Sequence, residues 1–308
     1  MSMVQYGLWP NCTNNCDFCL LVDRTYRSEE ERLNMLSSIK QNIKTIDWAG
    51  KFSNGISLLG GEIYYTDSEK IKDSFLDLIK LIIDVILKPV NKAVYSTVTN
   101  GIYDSKILLE PTLDLFEKEG VLNQVDLNFS WDLKYRFHNE ESLESMIKNT
   151  NLVYEKYNII PTVQTCLTQC LIDAHLDGTF NLFDYQEHHF PNTNIALLYP
   201  HRINTGKILP DFFFTRASLF RFIKYLKSIE QCEVLEHLIQ SVINSSQFKY
   251  SGLYYRNTVY KKTKSEKEIY QEPTLENKQH LTECGHSDLY RCYADSDKCM
   301  LCDLLNLL

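Results

Sequence analysis

Over roughly the first two hundred positions, short runs of alternating or continuous apolar residues are separated by longer stretches with apolar residues three and four apart. The short runs predict strands over 3–9, 55–59, 93–99, 124–131, 159–166 and 194–199. Ser28 and Glu31 form an S-x-x-E capping box ahead of Leu33, Leu36, Ile39, Ile43 and Ile46, which predicts a helix with one buried face. Ile71, Phe75, Leu78, Ile82 and Val85 predict a second helix, closed by Pro89. Pro111 starts a third, running through 113–118, and 142–157 forms a fourth. Strand followed by helix, repeated, implies a parallel sheet, because parallel neighbours need a right-handed crossover. The expected fold class is α/β, a parallel sheet or a partial (β/α)6 TIM-like barrel; about six units fit before residue 200, two short of the closed eightfold form.

Beyond Pro200 the texture changes. Helices are predicted over 216–229 and 234–243, followed by a Tyr-rich basic stretch over 248–262 and a polar segment over 264–279. The expected division is a barrel over 1–205 and a smaller helical, cysteine-rich domain over 206–308. His188 and His189 read as loop residues, and no internal repeat or low-complexity tract is visible.

Composition narrows the class. Apolar residues are 44% of the 308, charged residues 23% and aromatics 12%, which excludes disordered and coiled-coil readings. The net charge of -8 disfavours a protein that holds long nucleic acid by phosphate neutralisation alone. The N-terminal residues lack the charged and apolar regions of an export signal, and the apolar stretch 76–87 is broken by Asp77, Lys80 and Asp84, so neither secretion nor a membrane span is expected. Ten cysteines without an export signal suit a reducing, cytoplasmic setting, in which thiols serve metals more often than disulfides. Their grouping supports this. Cys12, Cys16 and Cys19 lie together, Cys284, Cys292, Cys299 and Cys302 lie together, and only Cys166, Cys170 and Cys232 stand apart.

The first group directly follows the first strand, on the loop at its carboxyl end, where barrel active sites are built. Three thiolates on one short loop suit a four-iron cluster with one iron per cysteine and one iron open. Zinc would need a fourth ligand, and the nearest histidine in sequence is His138. The second strand ends in Gly60-Gly61-Glu62, where two glycines let the backbone approach a ligand and a carboxylate satisfies an ammonium; a plain tight turn is the alternative.

The spacing CxxxCxxC, with Phe18 before its last cysteine and Gly-Gly-Glu after the next strand, resembles the radical S-adenosylmethionine enzyme superfamily, over roughly residues 3–200. Thr99, Asn100 and Gly101 are similar to a T-N-G at the third strand end, and Ser130 with Asp132 to an S-x-D after the fourth. The resemblance implies that Cys12, Cys16 and Cys19 hold a catalytic [4Fe-4S] cluster. It further implies that Phe18, Gly60, Gly61, Glu62, Thr99, Asn100, Ser130 and Asp132 bind S-adenosylmethionine, with Gly60-Gly61-Glu62 meeting the methionine amino group. Helix capping is the competing role for Ser130 and Asp132. Arg136 suits either the methionine carboxylate or solvent, since it lies earlier after the strand than the family's arginine. One electron, from a reduced flavodoxin or ferredoxin, would cleave the cofactor to a 5'-deoxyadenosyl radical that removes hydrogen from substrate.

Cys284, Cys292, Cys299 and Cys302 could saturate a second four-iron cluster or a zinc. They look like an auxiliary-cluster extension of the SPASM or twitch type, although the spacing is not the full pattern. Such extensions accompany oxidation or cross-linking of peptides, so a peptide or protein side chain is the expected substrate. A nucleoside or nucleobase is the alternative, supported by the interleaved tyrosines and lysines of 248–262. A non-catalytic iron-sulfur or zinc scaffold is a third reading. With the first cluster cysteine at residue 12, substrate choice is expected to come from barrel loops and from residues after 205. Cys166 and Cys170 are expected near the active face, as hydrogen donors or as small buried hydrophobes. His286 reads as a surface residue.

Overall fold

Six strands carry the fold: β1 (Val4–Gly7), β2 (Gly55–Leu59), β3 (Val94–Thr99), β4 (Val125–Trp131), β5 (Thr162–Cys166) and β6 (Asn194–Leu198). They form one sheet in sequence order, β1-β2-β3-β4-β5-β6, with parallel pairing from β1 to β5. Helices α1 (Glu29–Ile43), α2 (Glu69–Ile82), α3 (Leu109–Lys118) and α4 (Glu140–Tyr157) supply the crossovers between the first five. This is the α/β, partial-barrel architecture that the alternation implied. The computed structural model describes residues 3–19, 26–50, 54–198, 209, 211–212, 214–231 and 234.

Local chemistry sets most of the boundaries. The Ser28 hydroxyl accepts from Glu31 N while the Glu31 carboxylate accepts from Ser28 N, so the capping box of α1 is complete. Ser68 caps α2 through Ile71 N and Asn139 caps α4 through Ser142 N. Asn158, left-handed at φ 55°, closes α4. Ile71, Phe75, Leu78, Ile79 and Ile82 form the buried stripe of α2.

The structure departs from the sequence reading in three places. The second helix ends in a π-helical turn, Ile83–Leu87, and the wider turn directs Ile83, Ile86 and Leu87 inward in place of Val85. The third helix begins at Leu109, which places Pro111 in the first turn rather than at its start. Two short helices, α5 (Gln169–Leu176) and α6 (Leu182–His189), occupy positions for which the sequence predicted no element, and His188 and His189 end α6 rather than lying in a loop.

The two faces of the sheet differ. On β3, Tyr95, Thr97 and Thr99 are buried, and Tyr95 packs against Phe116 of α3 at 5.0 Å between ring centroids. On the opposite face, the pairing aligns Gln5, Ser57, Ser96 and Asp126 in one row across four strands. There Ser96 donates to the Asp126 carboxylate at 2.8 Å, and Asn128 donates to it at 3.1 Å.

The described residues form two compact units. One contains 3–165 and 182–195; the other contains 166–181, 196–198 and 211–231. The second unit includes α5 and α7 (Arg216–Ser228), the latter as expected. Within it His175 is buried among Phe180, Phe222 and Tyr225. Among the described residues no helix is long and apolar enough to cross a membrane. The expected boundary near 205, the body of the 234–243 helix, Cys232, the 248–262 stretch and all four C-terminal cysteines lie outside the described residues.

Candidate metal and cofactor site

The loop leaving β1 and the turn leaving β2 are joined through their backbones. Leu8 N donates to Leu59 O at 2.6 Å, Gly61 N to Trp9 O at 2.8 Å and Glu62 N to Asn11 O at 2.8 Å. Glycine is required here by proximity. A Cβ on Gly60 would lie 2.9 Å from Trp9 O, and one on Gly61 would collide with the carbonyl oxygens of Pro10 and Asn11. The close approach that the two glycines permit is therefore an approach to the residues just before Cys12.

Glu62 is fully buried, and its carboxylate faces inward. It accepts from Thr99 Oγ1 at 2.8 and 2.9 Å, from Asn100 N at 2.8 Å and from Tyr64 N at 3.1 Å. Burial pushes its pKa up to about 7, against the pull of these donors and of the Arg136 charge. With its backbone N fixed by Glu62, Asn100 directs Nδ2 at Cys12 Sγ, 3.3 Å away, and at Thr13 Oγ1, 3.2 Å away. Glu62 is thereby linked to the cysteine loop through Asn100.

The other side of the cysteine loop is held by the segment after β4. Asp132 accepts from the backbone N–H groups of Lys134 and Tyr135, which orders this segment as a turn. Burial raises the Asp132 pKa, opposed by those two N–H groups and by Arg136. From this turn, Tyr135 O accepts from Asp17 N at 3.1 Å, and His138 Nε2 lies 3.0 Å from Asn15 O. Asn14 Nδ2 reaches both Cys16 Sγ at 3.4 Å and Arg136 O at 3.0 Å. Arg136 Nη1 lies 3.5 Å from Cys16 Sγ, and its guanidinium sits 5.1 Å over the Phe18 ring. Ser130, half-buried one turn of the pleat earlier, pairs in register with Gln164.

The donor set suits a cluster. Cys12, Cys16 and Cys19 come from one loop, and N–H groups of Asn14 and Asn100 point at Cys12 Sγ while Asn14 and Arg136 point at Cys16 Sγ. Such outer donors accompany metal-bound thiolates. Burial pushes the Cys12 thiol up to about 12, so a bound metal must displace its proton. Among the described residues no three His, Cys, Asp or Glu side chains converge closely enough to hold a single metal ion. A cube that takes one iron from each cysteine does not require such convergence.

The structure thus brings together Cys12, Cys16, Cys19, Phe18, Gly60, Gly61, Glu62, Thr99 and Asn100, with Asp132 ordering the adjoining turn. Sequence reasoning missed Asn11, whose Oδ1 accepts from Arg27 N at 2.9 Å, and Tyr26, whose hydroxyl donates to Cys12 O at 2.8 Å. It also missed Asn14. The sequence signal for these is their place just before, within or after the cysteine loop. Cys166 ends β5 and Cys170 lies in α5, both half-buried.

No protein-family model matches the chain. No curated protein matches it. Among solved structures, native anSMEcpe with bound AdoMet superimposes with a TM-score of 0.50 at 14% identity, covering 74% of this chain and 59% of that one. Native anSMEcpe with bound AdoMet and Cp18Cys peptide gives 0.47 at 15% identity, over 74% and 59% of the two chains. HydG from Carboxydothermus hydrogenoformans gives 0.36 at 13%, over 77% and 52%. The likeness at 0.50 establishes a shared fold, and the chain spans about three fifths of that relative's length.

Proposed function

We propose that the chain is a radical S-adenosylmethionine enzyme acting on a peptide or protein side chain. The observation that carries this reading is the three-cysteine loop at the carboxyl end of β1, joined by backbone hydrogen bonds to the Gly60-Gly61-Glu62 turn at the end of β2. That juxtaposition, at the strand ends of a partial parallel barrel, is what a cluster with one open iron and a cofactor completing it require. When bound, the cluster and S-adenosylmethionine supply one-electron cleavage of a sulfur–carbon bond and a 5'-deoxyadenosyl radical.

The chain's own residues hold and orient. Cys12, Cys16 and Cys19 are the cluster ligands. Phe18, Gly60, Gly61, Glu62, Thr99, Asn100, Ser130 and Asp132 form the cofactor side, with Glu62 fixing Asn100 and Asp132 fixing the turn that carries Arg136. The polar row Gln5, Ser57, Ser96 and Asp126 favours a polar substrate over a lipid-like one. A reduced flavodoxin or ferredoxin supplies the electron, and Cys284, Cys292, Cys299 and Cys302 hold a second cluster.

Anaerobically reconstituted protein given S-adenosylmethionine and dithionite should release 5'-deoxyadenosine, quantified by chromatography. Release at background from protein carrying its iron, with or without peptides and nucleosides, would favour a non-catalytic scaffold.

A further inference from the structure

The geometry points to Arg136 as the positioning residue that sets the reduction potential of the cluster at Cys12, Cys16 and Cys19. The inference rests on the iron-sulfur reading above and adds to it a role exerted on the cluster before any cofactor binds.

Three observations converge on this residue. Its Nη1 lies 3.5 Å from Cys16 Sγ, within reach of an N–H···S hydrogen bond. Its guanidinium lies over the ring of Phe18, the residue immediately before Cys19, so one planar cation spans the stretch from the second cysteine to the third. Its Nε is buried and, among the described residues, has no hydrogen-bond partner. A guanidinium that loses water at Nε without replacing that bond is held by its other contacts.

The backbone shows that this placement is built in. Arg136 O accepts from Asn14 Nδ2, Tyr135 O accepts from Asp17 N, and His138 Nε2 meets Asn15 O. The residues on both sides of Arg136 are thus tied to the segment that carries Cys16. Asp132 fixes the start of the same turn through Lys134 N and Tyr135 N. A solvated arginine on a free loop needs none of these ties.

A reduced cluster carries one more negative charge than an oxidised one. Hydrogen bonds to ligand sulfurs and nearby cationic charge stabilise the reduced form, so they raise the potential. Arginine remains charged at any working pH, and its planar fork can stack on Phe18 while aiming an N–H at sulfur. Lysine keeps the charge without the fork. Glutamine keeps a polar side chain without the charge.

The test compares wild type, Arg136→Lys and Arg136→Gln, each reconstituted anaerobically, by redox titration followed by electron paramagnetic resonance without S-adenosylmethionine. Arg136→Gln should keep its iron and show at least a tenfold lower ratio of reduced to oxidised cluster at a fixed potential, equivalent to about 59 mV for one electron. Arg136→Lys should fall between the two. Arg136→Gln at the wild-type potential would overturn the inference; should that variant only bind S-adenosylmethionine more weakly, Arg136 serves the cofactor instead. Loss of iron from Arg136→Gln would also overturn it, because the residue would then be a structural support. A wild-type protein that takes up no cluster would sink the underlying reading itself, an outcome distinct from an unchanged potential in a loaded variant.

Discussion

Gly61 lies where two strand ends come closest, and its φ is outside the left-handed region, so its cost of substitution is contact rather than conformation. The atoms that a Cβ would meet are backbone oxygens of Pro10 and Asn11, which cannot swing aside as a side chain can. Gly61→Ala should therefore displace the residues that lead into Cys12. We expect reduced iron after reconstitution and a loss of about 1–3 kcal/mol in the metal-free protein, the usual cost of overpacking. Iron analysis and denaturant unfolding check this; normal iron and stability would mean that the Pro10 and Asn11 carbonyls give way without disturbing the cysteines. Glu62 illustrates what a sequence hides at this scale. An acid after two glycines was legible, but the direction of its carboxylate depends on Thr99 and Asn100, placed beside it only by the pairing of β2 with β3. The same holds for Asn14 and Arg136, which meet across 122 residues of chain.

At the level of elements, all six strands were legible, because each is a short run of alternating or continuous apolar residues too brief for a helix. The capped helices were legible for a similar reason: Ser28 with Glu31 is a local signal. What could not be read were the short helices α5 and α6, which offer too few turns for a periodic stripe, and the π-helical turn, which shifts the period midway. That turn is secured from outside itself. Gln124, buried before β4, donates from Nε2 to the carbonyls of Leu87, Val90 and Ala93 at 3.0, 3.2 and 2.9 Å, and so gathers the chain between the π-turn and β3. Gln124→Leu would fill a similar volume and leave the Leu87 and Ala93 carbonyls without that donor, while Val90 O keeps its bond from Ala93 N. It should destabilise by on the order of 2 kcal/mol in denaturant unfolding, the penalty for buried polar groups left unpaired. A change within about 0.5 kcal/mol would mean that water or a shifted backbone replaces the glutamine.

For the whole molecule, the deciding question is whether both of its groups of cysteines hold metal, as the proposed function requires. The sequence has three on the β1 loop and four near the C-terminus, and the second group lies outside the described residues. Spacing singled out the three cysteines of the β1 loop; it could not show the N–H groups that point at their sulfurs, which come from the end of β3 and from the turn after β4. If Cys284, Cys292, Cys299 and Cys302 hold a second cube, anaerobic protein should carry about eight irons per chain, four in each of two cubes. Replacing Cys12, Cys16 and Cys19 together by Ala should then leave about half the iron. The remaining signal should be indifferent to added S-adenosylmethionine, because four thiolates leave no iron open to it. Should the C-terminal group hold zinc instead, the triple variant would be colourless, with about one zinc and no iron. That outcome would remove the second cluster and, with it, the main support for oxidation of a peptide, while leaving the first site and its cofactor chemistry standing.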